Sequence, residues 1–283
     1  MTAWTPHAQD GTPAISARRI RALLDKELAD LRKNPSVFVP AIITGVMSIF
    51  LPFLVAVIIP ALTGERLSDS SDFEVALELY RNQPGLRGLD PEAAVQAWIF
   101  QQFLILLVIT PVAASMSVAA YSVIGEKQAR TLEPILATPI TTFELLAAKV
   151  AGSLVPAVAL TFAIFAVYLA AIVLFGRPDV FRALLTARSL MIVFLLGPLA
   201  ALAALQMAVC VSSRVNDARS AQQIGALIIL PVSGLLVAQV TGSFMLTGTI
   251  ILLVALGLAI VNAGLMALGI RLFDRESILT RWK

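Results

Sequence analysis

The segment from Gly125 to Lys149 sets charged and apolar side chains side by side over a short stretch of chain. It reads Gly125-Glu126-Lys127-Gln128-Ala129-Arg130-Thr131-Leu132-Glu133-Pro134-Ile135-Leu136-Ala137-Thr138-Pro139-Ile140 and continues through Thr141-Thr142-Phe143-Glu144 to Lys149. Gly125 permits a bend. Thr138-Pro139 breaks any preceding helix, because proline disfavours helical backbone in the residue before it. Thr141-x-x-Glu144 is a capping box that starts a new helix. Two helical pieces around a proline break, carrying both charge and grease, suit docking against another protein better than solvation. Covalent chemistry has nothing comparable to work with. The chain has one histidine, His7, and one cysteine, Cys210, so an intrachain disulfide is impossible. It contains no G-x-x-x-x-G-K-[ST] phosphate loop, no H-E-x-x-H pair and no G-x-S-x-G elbow, which leaves no ATP site of the Walker type and no basis for an enzyme.

The elements that must carry this loop are hydrophobic. Of 283 residues 58% are hydrophobic and only 14% charged, with a mean hydropathy of +0.88, whereas a soluble domain is about a quarter charged. That composition excludes a disordered chain, a disulfide scaffold and a nucleic-acid binder, since the net charge behind the pI of 9.3 is only +3. Stretches free of charge and long enough to cross a bilayer predict an all-α polytopic membrane protein with six spans, at about 37–62, 93–124, 150–175, 189–212, 224–240 and 249–270. Residues 1–15 read as a flexible tail, 16–34 as an amphipathic helix, and 35–283 as a single transmembrane domain. An external loop covers 63–92 and a cytoplasmic loop 125–149. Ten charges in the first 36 residues argue against a signal peptide.

Six spans put both termini on one side. That side holds 15 of the 21 Lys and Arg residues, so the positive-inside rule predicts cytoplasmic termini in a cell membrane. From Ser16 to Lys33, Ile20, Leu23, Leu24, Leu28 and Leu31 recur at helical spacing with basic residues around them, which reads as a helix lying in the cytoplasmic interface. Phe73, Ala76, Leu77 and Tyr80 mark a short helix in the external loop, and Asp90-Pro91-Glu92 supplies an N-cap, a proline and an acid where the second span begins. The span interiors hold no ionisable residue, which argues against a proton-coupled carrier. Their neutral polar groups include Gln102, Ser115, Tyr121, Gln206 and Asn262. These are candidates to line a translocation path, with interhelical hydrogen bonding the plainer reading. Pro52, Pro111, Pro156, Pro198 and Pro231 fall inside spans as candidate kinks.

The run from Glu126 through Thr131-Leu132-Glu133-Pro134 and Thr138-Pro139 to Glu144 and Lys149 resembles the signature of the type-2 membrane permease subunits of ATP-binding-cassette (ABC) transporters. Arg214-Val215-Asn216-Asp217-Ala218-Arg219 is similar to the second cytoplasmic loop of that family, Phe273-Asp274-Arg275-Glu276 to its usual ending, and Ser16–Lys33 to its elbow helix. Ala148 departs from the glycine often found before the lysine. The resemblance implies a permease that works as a dimer with a second permease copy and is gripped by a separate cytoplasmic ATPase subunit. Glu126, Arg130, Thr131, Glu133, Pro139 and Glu144 would form the coupling contact, and Arg214, Asp217 and Arg219 a secondary one. ATP and Mg would be used by the partner, with no cofactor bound by this chain. Export is the family expectation, and an apolar or amphipathic substrate is easier to accommodate than a bare cation. A stand-alone channel or secondary carrier, and a membrane scaffold that moves nothing, are the competing readings.

Overall fold

The computed structural model describes residues 16–74, 77–78, 88–128, 140–212, 218–240 and 246–272. Every regular element among them is helical. We label them α1 (Ala17–Lys33), α2 (Pro35–Thr63), α3 (91–128), α4 (Thr142–Phe175), the short α5 (Val180–Leu184), α6 (Ala187–Ser212), α7 (218–240) and α8 (Gly248–Leu272). Helices α2, α3, α4, α6 and α8 are long and apolar enough to cross a membrane. The fifth of the six expected crossings falls on α7, whose apolar part, Ile229–Gln239, is shorter. The expected external helix around Phe73 lies largely outside the described residues.

α3 and α6 form the centre. In their most apolar stretches 83% and 67% of residues are buried, against 28%, 22% and 17% in α2, α4 and α8, so the outer helices turn most of their surface to the surroundings. α3 and α6 pack along their length, α4 and α2 flank α3, and α8 lies on α6. The central seam is built from Val108, Val112, Met116, Ala200, Ala201, Ala204, Leu205 and Ala208. The alanines at 200, 204 and 208 let the two backbones approach closely. A second cluster stacks Phe53, Phe100 and Tyr168 at centroid distances of 4.8, 5.9 and 6.0 Å, an edge-rich packing favoured by aromatic quadrupoles.

Prolines shape these helices by the backbone bonds they remove. A π turn at Leu54–Ile58 ends two residues before Pro60, and another at Ile192–Leu196 ends two residues before Pro198. A 3₁₀ turn at Ala226–Ile228 precedes Pro231. Proline cannot donate to the carbonyl four residues back and clashes with it, so the preceding turn widens or tightens. Pro156 and Pro111, in contrast, sit within unbroken stretches of α4 and α3, while α3 is interrupted earlier, at Leu104-Ile105.

Candidate functional site

The stems of the 125–149 loop are the last turn of α3 and the first turns of α4. α4 has 34 residues, about 51 Å at 1.5 Å per residue, while the hydrocarbon layer is about 30 Å thick. Its first turns therefore project beyond the apolar layer. Thr141 and Glu144 form the expected capping box: the Glu144 backbone N–H donates to Thr141 Oγ1 at 3.2 Å, and the Thr141 N–H donates to Glu144 Oε2 at 2.8 Å. The other carboxylate oxygen, Oε1, accepts the Ser16 backbone N–H at 2.6 Å and the Arg19 Nε at 3.0 Å. Glu144 is fully buried. It ties the beginning of α1 to the beginning of α4.

One turn further on, Lys149 is 2% exposed and is the centre of a second cluster. Its ammonium lies 2.7 Å from Glu126 Oε2 and 3.0 Å from Glu27 Oε1, and donates to Ser122 Oγ at 2.9 Å. Ser122 in turn donates to Glu27 Oε2 at 2.7 Å. Lys26 donates to the other Glu126 oxygen and lies 3.4 Å from Glu27 and 3.7 Å from Asp30. Two lysines and two buried glutamates from three helices thus neutralise one another. Burial alone would raise the Glu27 carboxyl, but Lys149, the Ser122 hydroxyl and Lys26 outweigh it and hold the group below its ordinary 4.5. Burial lowers Lys26, yet its bonds to Glu126 and Glu27 outweigh that, and its pKa ends above the ordinary value. Isolated buried charges are too costly to persist unpaired, so these four side chains fix the helices relative to one another.

Local sequence makes the close approach possible. Gly152 faces α1: a Cβ there would stand 2.8 Å from Glu27 Cβ and 3.7 Å from Leu24 Cδ1. Only glycine lets α1 lie this close to α4 with the ion pairs still formed. Between α1 and the end of α3 remains a cavity of about 340 Å³, bordered by Lys26, Glu27, Asp30, Val118, Tyr121 and Glu126.

Of the residues expected to make the coupling contact, Glu126 and Glu144 stand in these two clusters, Glu126 against Lys149 and Lys26 and Glu144 against Arg19. Arg130, Thr131, Glu133 and Pro139 lie outside the described residues, as do Arg214 and Asp217 of the second loop. Arg219 is exposed on α7. Sequence reasoning missed Arg19, Lys26, Glu27 and Ser122. Glu27 left a trace: it falls on the same side of the helical wheel as Leu23, Leu24 and Leu31, and a carboxylate within an apolar stripe requires a partner.

The neutral candidates are scattered through the bundle. Ser115 Oγ donates to the Ala201 carbonyl at 3.1 Å, joining α3 to α6. Gln206 Nε2 donates to Asn262 Oδ1 at 3.3 Å, and Asn262 Nδ2 to the Leu199 carbonyl at 3.0 Å, joining α6 to α8. Gln102 is buried with no hydrogen-bond partner for Oε1 among the described residues, and Tyr121 is half exposed beside the cavity.

The far end of the bundle is closed differently. Gln96 Nε2 donates at 2.9 Å to the Ala56 carbonyl, the acceptor that Pro60 leaves free, and Gln96 Oε1 accepts the Arg177 N–H at 3.0 Å. Gln101 Nε2 donates to the Ala183 carbonyl at 2.8 Å. Asp90 occupies the N-cap of α3 but makes no side-chain capping bond. The neighbouring Glu92 is buried and accepts the Leu67 and Ser68 N–H groups at 3.1 and 3.0 Å. The expected acid of the first turn therefore caps a different segment from its own helix.

Among known families, the model of one described as ABC-2 family transporter protein matches residues 89–266. Neither a curated protein nor a solved structure matches the chain.

Proposed function

The chain belongs to the ABC-2 transporter family, as a multi-pass membrane permease, and from that premise we propose that it is the motorless half of an exporter. In this reading a separate cytoplasmic ATPase subunit grips the 125–149 loop. The permease works as a dimer in the cell membrane with both termini in the cytoplasm, and ATP and Mg belong to the partner. Arg130, Thr131, Glu133 and Pro139 make the contact, with Arg214, Asp217 and Arg219 as a lesser one.

The observation that supports this reading most is the anchoring of both loop stems. Glu126 at the end of α3 and Glu144 at the start of α4 are each ion-paired to the same helix, α1. A force applied to the loop then reaches three helices at once, which is what a partner needs if it is to bias a bundle between two arrangements. Neutral span interiors fit a substrate that is apolar or amphipathic.

The test is co-purification of a tagged chain from its own membranes. We expect a Walker-containing ATPase to be recovered, and Glu133→Lys to uncouple its ATP hydrolysis from substrate movement in vesicles. Solute flux through the purified chain alone, with no ATPase present, would support a channel or carrier and refute the proposal.

A further inference from the structure

α1 has three sides, and the bundle uses only two of them. One edge carries Arg19, Lys26 and Glu27, all engaged in the ion pairs above. The apolar stripe of Leu24, Leu28 and Leu31 is half-buried. The remaining edge carries Arg18, Arg21 and Arg32, which are exposed. Arg21 and Arg32 are eleven residues apart, about three helical turns, and so lie on one side, with Arg18 one turn beyond. None of the three has a carboxylate within ion-pair distance among the described residues, whereas Arg19, Lys26 and Lys33 all do.

Arg32 also borders a groove of about 330 Å³ whose other walls are apolar: Leu28, Leu31, Pro35, Phe38 and Pro156. Pro156 is seven residues past Lys149, about 10 Å along α4, so the groove runs from the charged layer into the depth where acyl chains begin. A cation at the mouth and a greasy floor beneath it match a molecule with an anionic head and a hydrocarbon tail.

We infer that the groove between α1, the start of α2 and α4 is a binding site for an anionic phospholipid, with the headgroup phosphate on Arg32, supported by Arg21 and Arg18, and an acyl chain along Leu28, Phe38 and Pro156. Because α1 is ion-paired to both stems of the 125–149 loop, a lipid seated there sets the position of the same helix the loop acts on. The inference does not depend on any ATPase partner.

The purified chain in phosphatidylcholine vesicles, probed by electron spin resonance with spin-labelled phosphatidylglycerol or phosphatidylcholine, tests it. Each arginine near an anionic headgroup is worth about fivefold in association, so phosphatidylglycerol should associate at least tenfold more strongly than phosphatidylcholine. The Arg18→Gln, Arg21→Gln, Arg32→Gln triple variant should abolish the preference, and Arg32→Lys should keep most of it. Leu28→Trp, which fills the groove and leaves the arginines in place, should weaken phosphatidylglycerol association several-fold. Equal association of the two lipids with the wild-type chain would overturn the proposal, and so would an undiminished preference in the triple variant. Displacement of the labelled lipid by millimolar glycerol phosphate alone would also overturn it, because the site would then recognise a free anion.

Discussion

The two ends of this bundle are held shut by different chemistry. At the end that carries the 125–149 loop, side chain meets side chain and both carry charge: Arg19 with Glu144, Lys149 with Glu27 and Glu126, Lys26 with Glu126. At the opposite end the bonds run mostly from side chain to backbone, beside an exposed ion pair of Arg177 with Asp90 and a bond from Arg188 to Gln239. Gln96 reaches Ala56 and Arg177, Gln101 reaches Ala183, and Glu92 takes the Leu67 and Ser68 N–H groups. A side chain bonded to backbone specifies one arrangement. An ion-pair cluster of two lysines and two glutamates joins three helices through charges that must stay paired, because a buried charge is too costly to leave alone. The first end is fixed by buried charge, the second by bonds to backbone.

The contrast is broken most forcefully at Lys149. Lys149→Met leaves Glu27 and Glu126 buried with one cation fewer, and loss of one partner from a buried pair costs about 3–5 kcal/mol. Thermal unfolding in detergent should show that loss. Adding Glu126→Gln alone to Lys149→Met should recover much of it, since Lys26 and Glu27, 3.4 Å apart, then remain as one cation and one carboxylate. At the opposite end, Gln96→Leu strands the Ala56 carbonyl and the Arg177 N–H, at about 1–3 kcal/mol for each group left unsatisfied. Its cost should be the same at low and high salt, while the spacing of α1 from α4 stays unchanged.

Smaller changes sharpen the comparison. Gly152→Ala places a methyl group 2.8 Å from Glu27 Cβ, and overpacking of this kind costs about 1–3 kcal/mol. We expect α1 to lift from α4, read as faster hydrogen exchange over 17–33. The pH dependence is gentler still. Glu27 is held below its ordinary 4.5 in the folded chain, so its contribution is fully present above that value and is lost as pH falls through the depressed one. Glu27→Gln should flatten that part of the acid unfolding profile.

Much of the architecture was legible in the sequence because charge is so expensive in a membrane. Uncharged stretches gave the five long apolar helices, and Asn34-Pro35 and Thr141-x-x-Glu144 gave the end of α1 and the start of α4. The short apolar part of α7 was less clear, since 220–270 is one uncharged run whose division rests on turn residues alone. The pairing of Glu27 with Lys149 was not legible: the two are far apart in sequence, and nothing local says that α1 folds back onto α4. Gln96 was overlooked for a related reason. Its value comes from Pro60, which frees the Ala56 carbonyl on another helix. Asp90 had the residue type of a cap, yet the adjacent Glu92 is the acid that caps, because tertiary packing brings Leu67 and Ser68 to it.

If α1 ties both loop stems together, the three segments respond as one unit. Hydrogen exchange on the permease co-purified with its ATPase, with and without ATP and Mg, measures this directly. We predict that protection changes together over 17–33, 121–128 and 142–152, while 91–103 stays unchanged. A change confined to the loop, with 17–33 unaffected, would contradict the account.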